Sequence, residues 1–290
     1  MTYAEAVSEF LFEKSIDTSP RTQEFYRTIL RWFQRDTGIE SLESLSPNCI
    51  ITWLVSLKSK APATQAAYRR GLVAFARWTY RRGLLPQDPT ATLPKARRTK
   101  PRNVAYYSPQ DVQKLLQMAA RGRTPARDTA VLLVLLDTGI RAGELVNLQT
   151  QDIDWQDRVF RVDGKTGERI VPFSPKLAHS LRTYIRSHRM APSNEQHVFT
   201  TRDGGPMRAE GVTLLVRRLA LRANIQGKKL GPHTLRHTFA VSYIRAGGDA
   251  FSLQRILGHS SMDMTSVYVR MNTDDLRLAH NRFSPLRTYL

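Results

Sequence analysis

Tyr268 closes the short segment Thr265-Ser266-Val267-Tyr268, and two arginines far upstream of it, Arg141 and Arg236, carry the side chains that a phosphoryl-transfer nucleophile needs. A phenol oxygen can attack phosphorus and leave again, because a phosphotyrosine keeps the energy of the diester it replaces and an aryl oxide departs readily. No ATP is then required. Attack on a phosphodiester builds negative charge on the non-bridging oxygens, and planar guanidiniums bind such oxygens in a fork that lysine cannot match. Charge neutralised by arginines removes the need for a divalent ion. The same residues also admit a plainer account: Tyr268, between Val267 and Val269, as a core aromatic, and the arginines in ordinary ion pairs, with Glu144 one helical turn from Arg141.

Two mimics are set aside by spacing. Gly164-Lys165-Thr166 looks like the end of a nucleotide-binding loop, but that motif needs glycine at position 159, where Val159 sits in a strand pattern, and no helix follows Thr166. His233 and His237 stand four apart on a helix, as zinc ligands often do. The glutamate of the metalloprotease motif is missing and no cysteine lies nearby, so His237 is assigned a structural or phosphate-contacting role and no metal is expected.

The elements that must position these residues fall into two groups. The first segment reads as four helices. A capping box of Thr2 and Glu5 opens the first, with Tyr3, Val7, Phe10 and Leu11 on one face. Ser19-Pro20 opens the second, which carries Phe25, Ile29, Trp32 and Phe33 inward and stops at Gly38; Ser46-Pro47 opens the third. The fourth runs from about Pro62 to Gly83 with Tyr68, Leu72, Phe75 and Trp78 or Thr79 inward. It leaves Arg69, Arg70, Arg77, Arg81 and Arg82 largely outward, a set read as contacts to nucleic-acid phosphates rather than as a merely solvated face.

After residue 85 the helical period is lost. Pro86, Pro89, Pro94 and Pro101 alternate with Lys95, Arg97, Arg98, Lys100 and Arg102, the composition of an extended basic linker over residues 86–104 that could lie along a phosphate backbone. Two domains, 1–85 and 105–290, would then grip opposite sides of a duplex as a C-shaped clamp. The second domain opens at Ser108-Pro109 and has an apolar central helix from Ala126 to Leu136, ended by Asp137-Thr138-Gly139. Alternation around Val159, Phe160 and Val162, then Ile170, Val171 and Phe173, predicts a β-hairpin with Lys165 at its tip. Helices resume over 177–185, 212–221, 234–244, 253–257 and 265–269. The fold class is therefore mainly α with a small β-sheet, an α+β second domain behind an all-α first one.

Composition supports a nucleic-acid partner. The chain holds 44 Lys and Arg against 25 Asp and Glu, a formal charge of +19, which repels itself in the compact state unless a polyanion offsets it. A membrane surface is a poor alternative. The longest apolar run, Ala130 to Leu136, is too short to span a bilayer, and Glu5, Glu9 and Glu13 among the first apolar residues fit neither a secretory signal nor a transit peptide. A cytoplasmic protein is expected. Cys49, the single cysteine, lies among Ile50, Ile51 and Trp53 and reads as a small buried hydrophobe.

Five segments fall in one order: Asp137-Thr138-Gly139-Ile140-Arg141-Ala142-Gly143-Glu144-Leu145, the hairpin Lys165, His233-Thr234-Leu235-Arg236-His237, Leu257-Gly258-His259, and Thr265-Ser266-Val267-Tyr268. Each is weak alone. In this order and spacing they resemble the tyrosine recombinase (phage integrase) family, particularly its short bacterial Xer-like members, over nearly the whole second domain, while the helical first domain looks like that family's core-binding domain. The resemblance implies catalytic roles for Arg141, Lys165, His233, Arg236, His259 and Tyr268, with Glu144 supporting and orienting them. It further implies that Lys165 protonates the departing 5′ oxygen, that His233 exchanges a proton with Tyr268, and that His259 donates to the scissile phosphate.

The implied activity is site-specific recombination of double-stranded DNA through a 3′-phosphotyrosine and a Holliday junction, with no cofactor and no metal. The implied assembly is a homotetramer on two recombination sites, or a dimer of heterodimers with a paralogous recombinase, with accessory proteins possible and a nucleoid-associated location. A type IB topoisomerase, which uses similar chemistry but relaxes one duplex as a monomer, and a DNA-binding regulator that has kept the scaffold without turnover remain open on the residues alone. The tail from Asn272, with Leu276, Leu278, Ala279 and Phe283 at near-helical spacing before Pro285, fits either a helix packed on its own domain or one docked into a neighbouring subunit.

Overall fold

The computed structural model describes residues 1–94, 104–164, 167–190, 192, 195–226, 229–268, 277, 280–281 and 284. The chain divides into two compact units, Met1–Arg102 and Asn103–Leu290.

The first unit is all helix: α1 (Tyr3–Lys14), α2 (Pro20–Thr37), α3 (Pro47–Ser56) and α4 (Pro62–Arg81). Its helix starts are set locally. Thr2 and Glu5 exchange the two hydrogen bonds of a capping box, and the hydroxyls of Ser19 and Ser46 each accept from the third helical N–H while proline occupies the first position, where no donor is needed. Gly38 ends α2 in the left-handed conformation. Inside, Phe10 meets Tyr26, Phe75 and Trp78 edge to face, with ring centroids 5.1–5.5 Å apart. Gly71 lets α2 and α4 approach: a Cβ there would lie 2.8 Å from Ile29 Cδ1. Phe25, expected inside, is 37% exposed, because it lies over the edge of that contact while Leu30 takes the core position. Cys49 is half-buried against the core rather than within it.

Residues 86–94, expected to open the linker, pack onto α4. The Arg77 Nε donates to Thr90 Oγ1 (3.1 Å), Arg69 donates to the Pro94 carbonyl, and Leu93 rests on the core.

The second unit contains α5 (Pro109–Ala120), α6 (Pro125–Thr138), α7 (Ala142–Asn147), β1 (Ile153–Asp154), β2 (Val159–Gly164), β3 (Gly167–Pro172), α8 (Pro175–Ser187), α9 (Ala209–Arg222), α10 (Pro232–Arg245), α11 (Ala250–Leu257) and α12 (Met262–Ser266). Helix α6 is the centre, apolar nearly all round, with Ala130, Val131, Leu132, Val134 and Leu135 buried and α5, α8 and α10 against it. The sheet is antiparallel in the order β1-β2-β3, with Phe160 opposite Val171 and Gly164 opposite Gly167. The two-residue strand β1 is too short to show alternation in the sequence, and only its pairing with β2 reveals it.

Two boundaries near the chemistry differ from expectation. Gly139 takes φ +64° and turns the chain sharply, so Arg141 is extended and stands as the N-cap of α7 rather than inside a helix. Helix α12 stops at Ser266, which leaves Tyr268 in a turn beyond it.

Candidate active site

The site gathers around the end of α11. Its end offers carbonyls that the helix itself cannot satisfy. Arg236 Nη2 donates to the Leu257 carbonyl (2.7 Å), and Arg141 Nη2 reaches the Gly258 carbonyl (3.4 Å). Arg236 Nη1 donates to the Gly139 carbonyl (2.8 Å), exposed by the turn that ends α6. Two cations that repel one another are thus held side by side by backbone oxygens. Burial, then the charge of Arg141, lowers the pKa of Arg236 to about 10, and it stays protonated at neutral pH.

Glu144 orders this cluster. Its Oε2 accepts from the Arg141 backbone N–H (2.7 Å) and its Oε1 from Arg141 Nη1 (2.8 Å), which ties backbone and side chain of one residue to one carboxylate. Arg169, on β3, binds the same carboxylate with both terminal nitrogens (3.0 and 2.8 Å) and gives its Nε to the Ile256 carbonyl (2.8 Å). Burial pushes the Glu144 carboxyl up, but the hydrogen bonds from Arg169 and the Arg141 backbone outweigh it and bring the pKa to about 2. The expected bridge to Arg141 is therefore present, and it is half of a larger clamp.

Arg169 was not among the expected site residues, although the sequence carries a signal for it. Strand alternation puts it on the face of Val171, the buried one, and a charge on a buried face requires a buried partner. Gly164 makes room for the pair: a Cβ there would lie 2.7 Å from Glu144 Oε1 and 2.9 Å from Arg169 Nη1. Lys165 lies outside the described residues, between the paired Gly164 and Gly167 in sequence.

The histidines and the tyrosine converge on the same region. His259 follows Gly258, and its Nδ1 hydrogen-bonds the buried Thr265 hydroxyl (2.9 Å). Its ring lies parallel to Tyr268, with centroids 6.4 Å apart and planes 16° apart. The Tyr268 hydroxyl and His237 Nδ1 share a hydrogen bond of 2.6 Å, and His233 stands edge-on to His237 with centroids at 4.2 Å. The family resemblance implies proton exchange between Tyr268 and His233; the residue in hydrogen-bond contact is His237, one turn along α10. Burial first, then the arginine charges, holds His233 below the usual imidazole range and brings His259 to about 4; burial, then His233 and Arg236, brings His237 to about 4. Burial pushes the Tyr268 phenol up, partly offset by Arg236.

The remaining expected residues belong to the first unit. Arg70, Arg77 and Arg81 are exposed on α4 and Arg69 is partly buried, while Lys95, Arg97, Arg98 and Lys100 lie outside the described residues. Arg82 stands 3.8 Å from Glu13 of α1, so this one cation of the α4 row has an acidic neighbour. Among the described residues, no helix is long and apolar enough to cross a membrane.

Comparisons with known proteins agree with one another. The profile of the phage integrase family matches residues 106–274. The tyrosine recombinase XerC of Oceanobacillus iheyensis is 30% identical over 297 residues, covering 98% of this chain and 96% of that protein. The tyrosine recombinase XerC of Mycobacterium tuberculosis is 33% identical over 268 residues, covering 87% and 88%. Among solved structures, the Tn1549 transposon integrase in complex with transposon right end DNA shares the fold, with a TM-score of 0.83 at 20% identity over 98% of this chain and 100% of that one.

Proposed function

This chain belongs to the phage integrase family, the tyrosine recombinases, and from that premise we propose how its own residues carry out site-specific DNA recombination. It is an enzyme that cuts and rejoins DNA strands, and Tyr268 is its nucleophile. Arg141 and Arg236 receive the scissile phosphate and bind the charge that grows on its oxygens during attack, when such contacts are most effective. The observation that carries this reading is their shared anchorage on the Leu257 and Gly258 carbonyls, beside His259 and within reach of the turn that holds Tyr268. His259, with Nδ1 engaged by Thr265, presents Nε2 to the phosphate. Lys165 protonates the 5′ oxygen as it leaves. His233 takes part in proton exchange at the tyrosine, and Glu144 fixes Arg141.

The partner is double-stranded DNA with a specific recombination site, and the basic row of Arg69, Arg70, Arg77 and Arg81 with Lys95, Arg97, Arg98 and Lys100 contacts its backbone. In support, the chain carries a formal +19 and the Tn1549 integrase of the same fold is in complex with DNA. The reaction passes through a 3′-phosphotyrosine and a Holliday junction, in a tetramer on two sites that can include a paralogous recombinase. The segment after Asn272, expected either to pack on its own domain or to dock into a neighbouring subunit, lies largely outside the described residues. The cell compartment is the cytoplasm, at the nucleoid.

A nicked duplex carrying the recombination site tests the reading, because the nick traps the covalent adduct. The wild-type chain should form an adduct and Tyr268→Phe none, with site binding retained. Arg141→Ala and Arg236→Ala should lower adduct formation by about 10²-fold or more while binding falls much less. A parallel loss of binding and cleavage would make these two arginines docking residues only, and an adduct with Tyr268→Phe would remove the nucleophile assignment.

A further inference from the structure

Among the described residues, the Tyr268 hydroxyl shares its only hydrogen bond with His237, which the catalytic set proposed above does not include. We propose that His237 is a catalytic residue of strand cleavage, the base that holds the proton of Tyr268 Oη and takes it as the tyrosine attacks phosphorus. This rests on Tyr268 being the nucleophile.

The geometry is direct. His237 Nδ1 and Tyr268 Oη are 2.6 Å apart, the range of a strong hydrogen bond between these atoms. A phenol O–H is a better donor than an imidazole N–H, and an imidazole nitrogen is a better acceptor than a phenol oxygen. The hydroxyl therefore donates and Nδ1 accepts. Both partners are fixed in place: His237 projects from the middle of α10, and the Tyr268 N–H is held by the Thr265 carbonyl (2.9 Å). His233, one turn before His237 on the same helix, stands edge-on to its ring with centroids 4.2 Å apart, so its part in the proton exchange runs through His237 rather than at the hydroxyl itself.

In the cleavage step the Oη–H bond breaks and its proton moves to His237 Nδ1. The Oη–P bond forms, the P–O5′ bond breaks, and the 5′ oxygen leaves with a proton from Lys165. Rejoining reverses each transfer: a DNA 5′ hydroxyl attacks the phosphotyrosine, and protonated His237 returns its proton to Oη. Burial first, then His233 and Arg236, lowers the His237 pKa to about 4, so its ring is neutral and able to accept the proton.

His237→Asn and His237→Ala separate this role from simple placement, because the Asn amide oxygen can accept a hydrogen bond near the position of Nδ1 but is not a base. With the nicked duplex, both variants should bind the site as the wild type does and form adduct about 10²-fold more slowly or worse. Wild-type rates in His237→Asn would make His237 a placement residue and overturn the proposal, and His237→Asn decides the matter if His237→Ala does not fold. A substrate with sulfur in place of the bridging 5′ oxygen adds a second readout, since a thiolate leaves without a proton. The defect should persist on it; rescue would move His237 to the leaving-group side and also overturn the proposal. Loss of the adduct in Tyr268→Phe is the control for the premise, so failure of the nucleophile assignment is distinguishable from failure of the base.

Discussion

Glu144 is 5% exposed at its side chain and satisfies four donors from two arginines, so its charge is both costly to bury and fully used. Removing such a charge leaves Arg141 and Arg169 competing in a space built for three groups, a loss of about 3–5 kcal/mol for a broken buried pair. The pH dependence follows from the depressed pKa. A carboxyl that titrates near 4.3 when unfolded and about 2 when folded stabilises the protein fully above the unfolded value. That contribution fades as pH falls through the window from about 4 to about 2. Urea unfolding of Glu144→Gln against the wild type should show the full deficit at neutral pH, narrowing through that window. A deficit that stayed constant down to pH 2 would mean that the carboxylate is not what holds the clamp.

At the scale of elements, two left-handed glycines decide where the arginines stand. Gly139 ends α6 with φ +64° and Gly258 ends α11 with φ +63°, and each exposes a carbonyl region that an arginine uses. A Cβ on Gly139 would lie 2.4 Å from Phe239 Cδ1 and 2.9 Å from Leu257 Cδ2, so substitution meets backbone strain and overpacking together. Gly38, with φ +67° and nothing near its missing side chain, meets strain alone. Thermal unfolding should therefore rank Gly38→Ala at about 1–2 kcal/mol and Gly139→Ala at about 2–5 kcal/mol. Gly139→Ala should also cut adduct formation more than site binding, because Leu257 and the Gly139 carbonyl both anchor Arg236. Equal losses for the two glycines would show that the α6–α10–α11 contact tolerates a methyl group and does not set the arginine position.

For the molecule as a whole the dominant quantity is charge. An excess of 19 positive charges makes association with DNA strongly salt-dependent, with log K falling linearly in log salt as counterions are released. Arg70 and Arg81 are the exposed members of the α4 row for which no bond to the rest of their unit is seen among the described residues, unlike Arg69, Arg77 and Arg82. Arg70→Gln and Arg81→Gln should each weaken binding to all sequences alike and flatten the salt slope by about 1. Cleavage of DNA already bound should be unchanged. An unaltered slope would take these two side chains off the phosphate path.

The local signals in the sequence reach far in this protein. Ser-Pro pairs mark the starts of α2, α3, α5 and α8, and left-handed glycines mark the ends of α2, α6 and α11, because a cap depends only on atoms within a turn of itself. Arg141, Arg236, His259 and Tyr268 were legible for a different reason: their segments, each weak alone, fall in the order that resembles the tyrosine recombinase family. What the sequence could not supply is the choice among neighbours. Helical spacing puts His233 and His237 on one face of α10 and is indifferent to which meets Tyr268. The docking of the turn after α12 against α10 makes that choice, because it depends on where two elements lie relative to each other. Likewise, only the approach of β3 to α7 and α11, made possible by the bare backbone of Gly164, turns Arg169 from a charge in a strand into the second arm of the Glu144 clamp.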